Sequence, residues 1–153
     1  MIKKIHFLSL AILSSVVMTA GLQAKLTEEQ KAERRAAAIA EVKQLLGNLT
    51  AETNKLNEAL TAAQKGKEVV NALDAWANAL DTFKKEAKAM ESKKGFKFLK
   101  AKEPPEEIKP DLEAFMSSVQ TMSETLKAKV ELFKDNPKFQ KRMEKVLAKL
   151  KDL

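Results

Sequence analysis

Cysteine and tyrosine are absent from this chain, and its single histidine, His6, lies in an apolar stretch close to the start. Everything after that stretch lacks thiol, phenol and imidazole groups. Zinc sites, iron–sulfur clusters, histidine-activated serine or cysteine nucleophiles and carboxylate–histidine di-iron centres each need a ligand or a base that is not supplied. Disulfides are excluded as well, so an exported chain of this composition must rely on its core. Glycine and proline number four each in 153 residues, too few for a long flexible linker, and one folded unit is expected. Glycine-rich phosphate loops and calcium loops have no match.

The start of the chain has a different character. Lys3 and Lys4 precede an apolar run over 5–17, too short to span a bilayer comfortably, and small residues follow as far as Ala24. This pattern predicts a secretory signal peptide over 1–24 and a mature domain over 25–153, hence a periplasmic or secreted location. No cysteine follows the run, so a lipoprotein anchor at that point is excluded. Loss of Lys3 and Lys4 leaves 26 basic against 21 acidic residues, a net charge of about +5, which favours acidic partners or anionic surfaces without leaving the ordinary range for soluble domains.

The core is written in four stripes. Ile39, Val42, Leu46, Leu49, Thr53, Leu56, Leu60 and Ala63 recur at alternating spacings of three and four, the signature of one buried helix seam. Val69, Leu73, Trp76, Leu80, Phe83, Ala87 and Met90 repeat it, as do Leu112, Phe115, Val119, Met122, Leu126, Val130 and Phe133, and finally Phe139, Met143, Val146, Leu150 and Leu153. The first helix is predicted over 27–64, opened by a capping box of Thr27 and Gln30, with 31–40 overhanging for want of large apolar residues. Gly66 is expected to supply the left-handed residue that ends it. The second helix is predicted over 68–92, the third from a cap at Asp111, and the fourth from Pro137 after the break at Asn136. The fold predicted is all-α, an antiparallel up-down-up-down four-helix bundle with a long first helix and a long Pro-containing loop between helices 2 and 3.

That loop region holds the candidate site. Over residues 84–102 there are eight lysines against Glu86 and Glu91, with two phenylalanines interleaved. Lys84, Lys85, Lys88, Lys93, Lys94, Phe96, Lys97, Phe98, Lys100 and Lys102 form a possible surface for an anionic partner, since basic side chains can track anionic groups while rings stack or insert. The competing expectation is that Phe96, Phe98 and Leu99 tuck against the first helix and the lysines are merely solvated. An exported protein is not expected to meet nucleic acid, so acidic or unfolded proteins and anionic membrane surfaces are the partner classes. The carboxylates Glu52, Glu58, Asp74 and Asp81 fall outside the stripes, and no desolvated acid–base pair is visible. The protein is expected not to be an enzyme and to bind no metal or cofactor.

Two resemblances add to this. Leu56-Asn57-Glu58-Ala59-Leu60, the short turn, Ala72-Leu73, Ala79-Leu80-Asp81 and the Pro104-Pro105 loop resemble the cytochrome b562 family of periplasmic four-helix bundles. The resemblance implies architecture and export. In that family haem lies between a Met on the first helix and a His near the end of the last; the corresponding position here is Thr53, and the segment from Pro137 onward has no His, so haem ligation is not implied. Leu26-Thr27-Glu28-Glu29-Gln30 resembles a single copy of the motif of the Spy/CpxP type of periplasmic chaperones, which implies the holding of unfolding clients. A third expectation is a carrier of a small apolar ligand inside the bundle, beside Trp76 and Met143.

Overall fold

Thr27 and Gln30 open the first helix as their spacing predicts: the Gln30 amide donates to Thr27 Oγ1 and the Thr27 amide to Gln30 Oε1, each at 3.2 Å. Two amides with no helical partner are thereby satisfied, and Glu28 and Glu29 stand in the first turn, where the helix dipole favours negative charge. In this computed structural model the described residues are 27–93, 95, 96, 98 and 103–152. The predicted leader over 1–24 and the seam residue Leu153 lie outside them. Four helices are present, α1 (Glu28–Ala62), α2 (Gly66–Glu91), α3 (Lys109–Phe133) and α4 (Pro137–Asp152), with a 3-10 turn at Glu106–Ile108 before α3. No strand occurs among the described residues, and the chain is an all-α four-helix bundle.

The apolar stripes explain why these segments are helices and which side each buries. All eight seam positions of the first stripe are buried, joined by Ala38 and Leu45. Gly47 interrupts neither the helix nor the seam, because it faces open space. On α2 the seam is buried from Val69 to Phe83, widened by Val70 and Ala77, and half-buried at Ala87 and Met90; on α3 the buried span runs from Phe115 to Leu126, and α4 buries Phe139, Met143, Val146 and Leu150. Fully burying one Leu, Val or Met side chain contributes about 1.5–3 kcal/mol, so these faces outweigh the weak propensity of the flanking residues.

Pairing between helices follows from numbered contacts. Lys43 pairs with Asp111 at 3.6 Å, the Thr125 hydroxyl donates to Asn57 Oδ1 at 2.6 Å, and Lys129 Nζ donates to the Thr61 carbonyl at 3.1 Å. The separation is 68 residues in each case, so α1 and α3 run side by side in the same direction, and theirs is the most extensive interface. Between α1 and α2 the numbers move oppositely: Thr53 meets Trp76, and Glu41 meets Lys93 just beyond α2. Helix α4 packs chiefly on α2, with Phe139 against Gly66 and Lys149 against Asp74.

With only 16 residues α4 is about 24 Å long, against about 39 Å for the 26 residues of α2. It cannot cover the far half of α2. The interior accordingly holds a second cluster beyond the one in which the four stripes meet. One cluster draws on all four helices, while the second joins Ala38, Val42 and Leu46 of α1 to Phe96 and Ile108, with Met90, Phe98 and Leu112 packed on it. The crossover segment closes the end that α4 does not reach. Residues 31–40 are therefore not a free overhang along their whole length: Gly95 lies against the Arg34 backbone, and Arg35 pairs with Glu107 at 3.4 Å.

Three details correct the sequence reading. Helix α1 ends at Ala63 in an extended conformation, and Gly66 is the first residue of α2 rather than a left-handed terminator; positive φ occurs at Gly95, at 120°. The reason for glycine at 66 is space, since a Cβ there would stand 2.8 Å from Phe139 Cδ2. Asp111 does not cap α3. That helix begins at Lys109 with Pro110 in its first turn, where a missing amide costs nothing, and the 3-10 turn, closed by the Ile108 amide on the Pro105 carbonyl at 3.0 Å, leads into it.

The turn between α1 and α2 is held from both sides. Lys129 Nζ donates to the Ala63 carbonyl at 2.7 Å as well as to Thr61, supplying from α3 the positive charge that the last turn of α1 lacks. Glu68 Oε2 accepts from the Gln64 and Lys65 amides at 2.8 and 3.1 Å, and these two bonds, aided by Lys65 and Lys129, hold its carboxyl below the ordinary value of 4.5. A carboxyl lowered by folding contributes stability above its unfolded value and loses it as pH falls through the folded one. Thermal unfolding followed from pH 6 downwards should therefore show a smaller loss in Glu68→Gln than in the parent protein. Gly66→Ala is expected to cost about 1–3 kcal/mol in urea unfolding by forcing Phe139 aside.

Candidate basic interface

Four of the ten residues singled out in the sequence, Lys94, Lys97, Lys100 and Lys102, lie outside the described residues. The other six do not form one face. Phe96 is only 4% exposed, in the cluster with Ala38, Val42 and Leu46, and Phe98 is half-buried beside it with ring centroids 6.1 Å apart. Phe96 thus leaves the candidate surface: its ring covers the otherwise bare end of α1 and α2 and is not available to an external partner. Lys93 is paired with Glu41 at 2.7 Å, and Lys85 with Asp81 at 2.6 Å. Exposed pairs of this kind add little stability, but each cancels one charge of the patch. Lys84 and Lys88 have no ion pair among the described residues.

A second group, not singled out from the sequence, is better arranged. Helix α4 carries six basic and two acidic residues in 16. Lys138, Lys141, Arg142 and Lys145 follow one another at helical spacings of three, one and three, so they share one side, and all are exposed. None of the four has an ion pair among the described residues, whereas Lys149, one turn further, is held by Asp74 Oδ1 at 2.9 Å and Asn78 Oδ1 at 2.5 Å. The row is fixed in place because the opposite side of α4, through Phe139, Met143, Val146 and Leu150, is built into the core. Sequence reasoning missed it because it looked for lysine density in a continuous window. In α4 the charges are spread at seam-like spacing, and a helical projection of residues 137–152 is the signal that finds them.

Asp81 connects the two groups. Its carboxyl lies below the usual carboxylate range, first through the hydrogen bond from Lys85 and then through the charges of Lys85, Lys84 and Lys149. Lys149 of α4 pairs with Asp74 and Lys85 of α2 with Asp81, so where these helices adjoin they share a face that carries basic residues of both together with Asp74 and Asp81.

Near the end of this face is an open depression of about 620 Å³ at the α3–α4 turn, lined by Leu132, Phe133, Asp135, Asn136, Pro137 and Lys138. Leu132 is 69% exposed. The turn is capped by Asn136, whose Oδ1 accepts from the Lys138 and Phe139 amides at 3.0 and 3.2 Å.

The interior offers no comparable chemistry. Thr53 is wholly buried, donates to the Leu49 carbonyl at 2.8 Å and accepts from Trp76 Nε1 at 3.2 Å. That closed pair stands where the b562 resemblance would put an axial Met, and with His6 as the chain's one histidine the residues present do not fit a haem. Trp76 and Met143 are both core-filling. Among the described residues the buried polar side chains are Thr53 and Ser123, the latter with an unpartnered hydroxyl. Among the described residues no group of three or more acidic side chains is placed to hold a metal ion, and no described helix is long and apolar enough to cross a membrane. Comparison of the chain with protein-family models, curated proteins and solved structures gave no match.

If Phe96 is a core residue, Phe96→Ala should lower stability by about 3–5 kcal/mol in chemical unfolding. Lys88→Ala, on the exposed side of the same region, should change it by less than about 0.5 kcal/mol.

Proposed function

We propose that this chain is an exported, non-enzymatic four-helix-bundle protein that binds an anionic partner through the basic face of α2 and α4. The observation that carries the reading is the row Lys138, Lys141, Arg142 and Lys145, exposed and without acidic partners among the described residues. Charges of one sign fixed on a packed helix attract an opposite surface without an ordering cost for the backbone. Export is supported by the sequence pattern over residues 1–24, and a b562-like architecture without haem by the four helices and the Pro-containing crossover. A catalytic role has little to draw on, since the buried polar groups of the described core are two hydroxyls. The chaperone alternative rests on one five-residue motif whose Thr27 and Gln30 are engaged with each other.

Two measurements test this reading. The protein recovered from an expressing cell should begin at Lys25 by N-terminal sequencing, and an intact leader would remove export. On a polyglutamate resin it should be retained at low ionic strength and released as salt rises, with Lys141→Gln/Arg142→Gln/Lys145→Gln released earlier; passage without retention would remove the basic-face reading. Salt-insensitive suppression of client aggregation would point to the chaperone instead.

A further inference from the structure

From the same face we infer a more specific partner: the α4 row and Leu132 form a peripheral docking surface for a bilayer rich in anionic phospholipid. This deepens the proposed function and rests on it. Three observations favour a lipid surface over an acidic protein. The exposed charges are three lysines and one arginine, and lysine is depleted at protein–protein interfaces, where aromatic side chains are enriched. Here the aromatic rings nearest the row, Phe133 and Phe139, are half-buried and buried. The row is also linear and convex: from Lys138 to Lys145 it runs about 11 Å along the outside of a helix. A flat field of phosphate groups can meet all four charges at once, and no pocket is needed.

The third observation is Leu132. It is the more exposed of the two large apolar residues on the described surface, the other being Met116, and it lines the depression that also includes Pro137 and Lys138, where the basic row begins. A single projecting leucine beside Lys138 is poorly suited to a polar protein rim but can enter the acyl boundary while the ammonium groups of the row stay among the headgroups and Asp135, at the same depression, stays in water. Helix α4 need not leave the bundle. Its apolar side remains in the core, and docking uses only the side that already faces water. The attraction should reach about a Debye length, 10 Å at 0.1 M salt, and fade beyond it.

The test is sedimentation of the purified protein with vesicles. Vesicles of equal parts phosphatidylglycerol and phosphatidylcholine should carry it down at low salt, while pure phosphatidylcholine vesicles should not. Each basic residue held near an anionic surface contributes about fivefold to binding, so Lys141→Gln/Arg142→Gln/Lys145→Gln should weaken it about a hundredfold. Leu132→Ser should weaken it about tenfold. These side chains are exposed, and unchanged circular dichroism and melting temperature would show that the variants remain folded. Equal sedimentation with neutral vesicles, or unchanged binding by the triple variant, overturns the inference. Retention on polyglutamate resin without vesicle binding overturns it in favour of an acidic protein and leaves the broader reading standing. Binding to neither removes both.

Discussion

The difference in length between the first and last helices is the constraint from which most of this structure follows. Helix α1 presents a continuous apolar seam from Ala38 to Ala63, and α2 and α3 are long enough to lie along it. Helix α4, with 16 residues, is not long enough to complete a fourth wall. An apolar seam left open over several turns would forgo about 1.5–3 kcal/mol for each large residue. The chain closes it with the segment between α2 and α3, which turns at Gly95, drops Phe96 onto Ala38, Val42 and Leu46, and returns through Ile108. A Cβ at Gly95 would stand 3.1 Å from the Arg34 carbonyl oxygen, and its φ of 120° is one that side-chain-bearing residues avoid. Glycine there permits both the turn and the close approach.

That closure reassigns the charges. Lys93, just beyond α2, is paired with Glu41 of α1, while Arg35 and Lys43 of α1 meet Glu107 and Asp111 from the other direction. Residues that look in one dimension like a basic patch thus serve in part to hold a plug. Helix α4 has no such duty on its outer side. Its attachment is mainly apolar, with Lys149 on Asp74 and Asn78 and the Gln140 side-chain amide on the Lys134 carbonyl as polar contacts, so Lys138, Lys141, Arg142 and Lys145 are left to water or to a partner.

Much of the fold was legible because burial imposes a period. Each stripe position that lies among the described residues is buried or half-buried, and the capping box at Thr27 and the break at Asn136-Pro137 mark real helix ends. What was not legible depends on tertiary distance. Gly66 looks like a terminator because glycine commonly ends helices, but its role is to admit Phe139, which is distant in sequence. Asp111 looks like a cap because aspartate is a good one, yet Pro110 and the 3-10 turn start the helix three residues earlier. Phe96 could be read as either surface or core, and only the shortness of α4 decides it, through the bare end that the ring must cover. The basic row of α4 was present in the spacing all along. It was overlooked because local density of charge is a poor guide to which charges share a side.

The buried Thr53–Trp76 pair shows how the interior differs from one designed around a cofactor. An indole N–H withdrawn from water needs an acceptor, and the Thr53 hydroxyl provides it while donating its own hydrogen bond to the Leu49 carbonyl. The indole N–H and the hydroxyl proton are thus both engaged within the bundle. The pair also ties α1 to α2 at mid-length, since it joins residues 23 positions apart across the two helices. The exposed charge of α4 lies on the opposite, outer side, where Lys138, Lys141, Arg142 and Lys145 follow one another along the helix.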